Sequence, residues 1–204
     1  MARTSRPADT VLHTASLSAE AVAHIAAVVD AGLFSPSEAV NAELDFLRTW
    51  GLPEHFTRRV EAEAKRRGIT TLELVNDILW DAAEALPRAS VPKPPRSPPA
   101  RPPRKQLVLA ITGPNEAWLL RHSDVWKVDS YEALLERALE FARGYGLPPE
   151  AQAALQQHAK GQGDSVRELV RELLMEAADH LPEAPAEAPH PPAKRPHPRR
   201  SAAE

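Results

Sequence analysis

The sequence predicts a mainly α protein: two strand-plus-four-helix repeats joined by a proline-rich linker. Three observations carry this. First, a shift of 95 residues lays the segment 44–87 on 139–182 without a gap, with 17 of 44 positions identical, far more than chance gives, so the chain contains an internal duplication. Second, charge is segregated. Residues 19–87 carry a net −6 and residues 106–182 a net −5, while residues 88–105 between them carry +6. Third, that connector, "RASVPKPPRSPPARPPRK", has seven prolines in eighteen residues. Proline fixes φ and removes the N–H donor, which excludes helix and central strand. An extended polyproline II spacer reaches up to roughly 55 Å at ~3.1 Å per residue. A proline-motif ligand is the second reading of the same stretch.

The expected domain plan is a flexible arm over 1–10, repeat 1 over 11–87, the basic linker over 88–105, repeat 2 over 106–182 and a disordered proline-rich tail over 183–204. Each repeat opens on a short strand candidate, "VLHTASLS" or "QLVLAIT". A helix follows in "AEAVAHIAAVVDAG", with Val22, Ile25 and Val29 on one face. In "GLFSPSEAV" Gly32 suits a left-handed helix end, Ser35 an N-cap, Pro36 the first helical position and Glu38 the reciprocal place of a capping box. The second helix runs to about Trp50, where Gly51 ends it. The third begins at Leu52-Pro53, aligns Phe56, Val60 and Ala64, and ends at Gly68. Thr70-x-x-Glu73 caps the fourth helix, as Ser165-x-x-Glu168 does in the second repeat. Upstream of residue 44 the two repeats match less well and slip by one residue.

Bulk properties narrow the function. The 204 residues include no cysteine, so there is no disulfide, thiol nucleophile or cysteine metal site. No signal-peptide apolar region opens the chain and no run approaches a membrane span, which fits a cytoplasmic protein. His122-Ser123-Asp124 are contiguous and do not make a triad. His190 and His197 lack ligand spacing, and the four tryptophans suit core positions. No phosphate-binding glycine loop or HExxH is present. The reading is non-enzymatic, without cofactor or metal.

A strand ending "ASLS", a helix of about four turns, "DAGLFSPSEAV" and a further helix resemble the ribbon-helix-helix superfamily, and are especially similar to antitoxins of the ParD and CopG kind. The resemblance covers about Val11 to Gly51. The second repeat keeps its outline, with Asp129-x-x-Glu132 or Ser130 at the corner. It implies two strands paired into a ribbon that enters the DNA major groove. It also implies a second-helix start, Ser35 to Ser37, that offers N–H groups to a phosphate. The ribbon would form either within one chain, as a pseudo-dimer, or in a homodimer.

Alternation buries Leu17, Ala15 and His13 and exposes Ser16, Thr14 and Leu12. In the second strand the exposed set is Gln106, Val108 and Ala110, or else Leu107, Leu109 and Ile111. Neither strand carries the long polar side chains that read base edges. Phosphate neutralisation supplies most DNA affinity, so cations elsewhere are needed. Arg58, Arg59, Lys65 and Arg66 fall within about 120° of helical arc at ~100° per residue. Together with Arg96, Arg101, Arg104 and Lys105 of the linker and Arg3 and Arg6 of the arm, they form a candidate backbone-contacting set. The expected partner is DNA. The alternative is an assembly module with a protein partner or toxin, the ribbon serving only as a dimerisation seam.

Overall fold

The computed structural model describes residues 9–32, 35–87 and 104–183. The fold is mainly helical with a small two-stranded antiparallel sheet. Strand β1 (Thr10–Leu17) is followed by α1 (Ala19–Asp30), α2 (Pro36–Thr49), α3 (Glu54–Arg67) and α4 (Thr71–Ala85). Strand β2 (Lys105–Thr112) is followed by α5 (Gly113–Arg121), the four-residue α6 (Ser123–Trp126), α7 (Tyr131–Gly144), α8 (Pro149–Gln162) and α9 (Val166–Asp179). The strands pair with each other inside one chain, with Thr10 opposite Thr112 and Leu17 opposite Lys105.

Local signals set the helix ends. Ser18 caps α1 by accepting from Ala21 N–H, and Ser35 caps α2 by accepting from Glu38 N–H. That is one half of the box expected at Ser35. The reciprocal form, in which the glutamate also accepts from the cap's N–H, occurs at Thr70/Glu73 and Ser165/Glu168. Those backbone donors hold the Glu73 and Glu168 carboxyls below the usual carboxylate range. Ser130, rather than Asp129, caps α7. The end of α2 departs from expectation. The helix stops at Thr49, and Trp50 itself adopts the left-handed conformation (φ 56°) before Gly51. Tyr145 does the same after α7 (φ 55°). Both rings are buried, and their packing offsets the cost of a left-handed backbone at a non-glycine residue.

The two acidic segments do not make separate bodies, because a single hydrophobic cluster runs through both. Helix α2 packs on α7 and α4 on α9, while the remaining contacts are reciprocal: α1 with α7 and α2 with α5, α3 with α9 and α4 with α8. An aromatic group stitches the halves at the centre. Trp50 meets Phe46 edge-on at 5.8 Å and Phe141 at 6.2 Å, and Tyr145 lies 6.4 Å from both Trp50 and Phe46. Such edge and tilted pairs add to the area that the rings bury. Asn76 on α4 donates to Tyr145 O at 2.9 Å, tying the fourth helix to the turn of the other half.

Candidate nucleic-acid interface

The ribbon places Ala15, Leu17, Leu109 and Ile111 against the helices, all fully buried. The opposite face carries Leu12, Thr14 and Ser16, paired with Ala110, Val108 and Gln106. This is the first of the two alternations available to β2. Leu12 is 51% and Val108 65% exposed, so the outward surface is apolar and neutral at its centre. Val11, whose parity is inward, is also exposed, because the strand runs past the helices there. His13 is half-buried. Its ring stacks on Tyr131 at 3.7 Å and its Nε2 lies 3.1 Å from Glu116 Oε1. Burial, and then the Glu116 carboxylate, push the Tyr131 phenol up.

The ribbon's outer edges are occupied by side chains of the helices. On β2, Ser37 Oγ accepts from Ala110 N–H at 3.0 Å and Asn41 Oδ1 from Thr112 N–H at 3.0 Å, while Asn41 Nδ2 donates to Ala110 O at 2.7 Å. The fully buried Asn115 amide donates to Asn41 Oδ1 at 3.1 Å. On β1, Glu132 accepts from Ser16 N–H and Glu136 from Ser18 N–H, each at 3.1 Å. Arg104 donates to Ser16 O at 3.0 Å and pairs with Glu136. A sheet edge closed in this way does not recruit another strand. The sequence pattern does not announce these clamps, since each except the Arg104–Glu136 pair joins residues more than 65 positions apart.

The predicted cations fare unequally. On α3, Arg58 pairs with Glu54 at 2.5 Å. Arg59 lies over the Phe56 ring, donates to Ala178 O and approaches Asp179 and Glu183 at 3.9 and 3.5 Å. Arg66 pairs with Glu63 at 2.6 Å and Arg67 joins it at 2.7 Å. These two guanidinium groups hold the Glu63 carboxyl at about 2. Lys65 is exposed and has no ion pair among the described residues. The stripe therefore exists as an arc but does not offer four free charges. Carboxylates just outside the arc, and on α9, lie within reach of long arginine side chains. Lys105 is exposed at the start of β2. Arg96 and Arg101, like Arg3 and Arg6, lie outside the described residues, as do the tail and Phe34. Ser35 and Ser37 stand at the start of α2, with their oxygens engaged as described.

No hydrolytic arrangement is assembled at His122. Its Nδ1 lies 2.8 Å from Trp118 O, its ring lies between Trp118 and Trp126, and Ser123 Oγ donates to Leu120 O. Burial lowers its proton affinity. Among the described residues no group of three or more ligating side chains is placed to hold a metal ion. No helix among them is long and apolar enough to cross a membrane. The formal net charge of the chain is −3, from 25 Lys and Arg against 28 Asp and Glu. Comparison of the chain with protein-family models, with curated proteins and with solved structures returns no match.

Proposed function

We propose that the chain is a non-enzymatic DNA-binding protein of the transcriptional regulator or antitoxin-like kind, built as a duplicated ribbon-helix-helix-like scaffold within one polypeptide. The arrangement that supports this is the ribbon and the charge delivered to its ends. In an antiparallel pair the two strand starts lie at opposite ends, about 23 Å apart for eight residues. Residues 1–8, with Arg3 and Arg6, lead into β1. Residues 88–104, with Arg88, Lys93, Arg96, Arg101 and Arg104, lead into β2 at Lys105. Cations thus enter at both ends of a neutral ribbon whose width suits the major groove (~12 Å). They bracket the two phosphate backbones while the acidic helical body faces away. The reading assigns affinity to backbone contacts and little sequence preference to Leu12, Thr14, Ser16, Gln106 and Val108, which lack base-reading groups.

The test is a fluorescence-anisotropy titration of labelled duplex and single-stranded DNA at low salt. If the seven cations other than the Glu136-paired Arg104 contact phosphate, the salt slope approaches about −6 for duplex, and Gln at Arg96, Arg101 and Lys105 makes it shallower by about the number removed. Undetectable binding to either DNA at micromolar protein refutes the proposal. The exposed Leu12 and Val108, with the neutralised α3 stripe, favour a second reading. In it the scaffold is an assembly module, the ribbon is the seam between its halves, and the partner is a protein. That reading predicts no effect of the three Gln substitutions on partner capture.

A further inference from the structure

We infer that the two halves carry a one-sided polar key, so that the first half's interface fits the second half and rejects a copy of itself. The key is Glu43. It lies on the buried face of α2 at 3% exposure, and its Oε1 accepts from Arg167 Nη2 of α9 at 2.5 Å. The Arg167 guanidinium also covers the Phe46 ring at 4.5 Å from its centroid. His24 of α1 brings Nε2 to 3.7 Å from the other carboxylate oxygen. The offset of 95 that aligns the halves carries Glu43 onto Ala138 and Leu72 onto Arg167. Both Ala138 and Leu72 are buried and apolar. The acid therefore belongs to one half and the base to the other.

Like-with-like pairing removes the match. Two first halves would set Glu43 against Leu72, and by symmetry would do so twice. Two second halves would set Arg167 against Ala138. A buried carboxylate stripped of its partner keeps the desolvation cost and loses the attraction, which amounts to roughly a hundred-fold or more in the equilibrium for each site. The apolar remainder of the interface is similar in both halves and does not discriminate in this way. The partner that fits the first half is thus a second half, of the same chain or of a second copy. The inference rests on the duplicated single-chain reading of the previous section and not on DNA binding.

The test uses the full chain. Glu43→Arg and Arg167→Glu each place like charges in contact, and each is expected to lower the folding equilibrium constant, read by urea unfolding, by about a hundred-fold. The double variant restores most of that loss. When the two single variants are unfolded, mixed and refolded, a first half from one chain and a second half from the other are complementary at both sites. The seventeen residues between Pro87 and Lys105 span up to ~50 Å, so the mixture forms a 1:1 heterodimer of twice the 22.3 kDa chain mass by light scattering. A double variant no more stable than either single, or a mixture that stays monomeric, overturns the inference. DNA anisotropy on the wild type is read separately, so failure here is distinct from failure of the proposed function.

Discussion

Replacing Asn41 by Leu tests how the second helix holds the ribbon. The substitution keeps the side chain's branching and heavy-atom count and removes four polar contacts. The amide donates to Ser37 O at 2.8 Å and to Ala110 O at 2.7 Å, and its oxygen accepts from Thr112 N–H at 3.0 Å and from Asn115 at 3.1 Å. Ser37 O retains its place in the α2 ladder, so its loss is minor. Ala110 O and Thr112 N–H point from the strand's outer edge and have no other strand to pair with. Asn115 is fully buried and keeps only the 3.3 Å contact to Asn41 O. An orphaned buried group costs about 1–3 kcal/mol, so the two edge groups and the Asn115 amide, left with one contact, together give roughly 3–6 kcal/mol. Water reaching the half-buried edge holds the result to the lower end. Against a domain stability of about 5–15 kcal/mol, that is a large fraction. Urea unfolding followed by circular dichroism should show a midpoint shift at unchanged slope. Ser37→Ala, which removes one acceptor from Ala110 N–H, should lose about 1 kcal/mol. A loss below about 1 kcal/mol for Asn41→Leu would refute the clamp.

Three further outcomes follow from the same geometry. Gly146→Ala should destabilise more than Gly51→Ala, as read by thermal melting. Both sites have positive φ, 69° and 62°, costing about 1–2 kcal/mol each, but at Gly146 a Cβ meets the Phe141 ring at 2.9 Å and Asn76 Nδ2 at 3.0 Å, whereas at Gly51 its nearest neighbour is the flexible Arg171 chain at 3.4 Å. Glu63, held at about 2 by Arg66 and Arg67 from an ordinary 4.5, contributes stability that is fully present above about pH 4.5 and lost as pH falls toward 2. Glu63→Gln should flatten the acid limb of the stability profile in that window, and an unchanged limb would contradict the pairing. Burial pushes the Tyr145 phenol up to about 12 from an ordinary 10, so its contribution is present below pH 10 and lost as pH rises through 12. Because the Tyr131 phenol is pushed up as well, ultraviolet tyrosinate titration should find both tyrosines still protonated at pH 11, and Tyr145→Phe should remove its own share of the alkaline loss.

The local grammar of the fold was legible where a signal and its partner lie within one turn. Ser35 before Pro36, Thr70 with Glu73, Ser165 with Glu168 and the left-handed Gly68 are short-range chemistry, and they fall where the residue types place them. The alternation of β1 and β2 gave two choices of exposed face for the second strand. Only the long-range packing of Leu109 and Ile111 against the helices selects between them. Trp50 and Tyr145 hide behind the glycines that follow them, because their left-handed backbone is set by an aromatic cluster drawn from both halves. The edge clamps at Ser37, Asn41, Glu132 and Glu136 and the Glu43–Arg167 pair escape any linear reading, since each residue is an ordinary helix-surface type until its partner is brought to it. The α3 stripe shows the reverse error. A helical wheel reports angle, not reach, and arginine reaches Glu54, Glu63 and the end of α9 from outside the arc.

The ribbon forms within one chain, and the absence of cysteine makes this directly measurable. Thr14 and Val108 are opposite partners on the exposed face, where Cβ atoms lie about 4.5–5.5 Å apart, and the small shift to disulfide spacing is within the ribbon's compliance. Thr14→Cys/Val108→Cys, oxidised at low protein concentration and run on a non-reducing gel, should give a compact monomer that migrates faster than its reduced form. Disulfide-linked dimers as the main product, with no intrachain species, would contradict the single-chain ribbon.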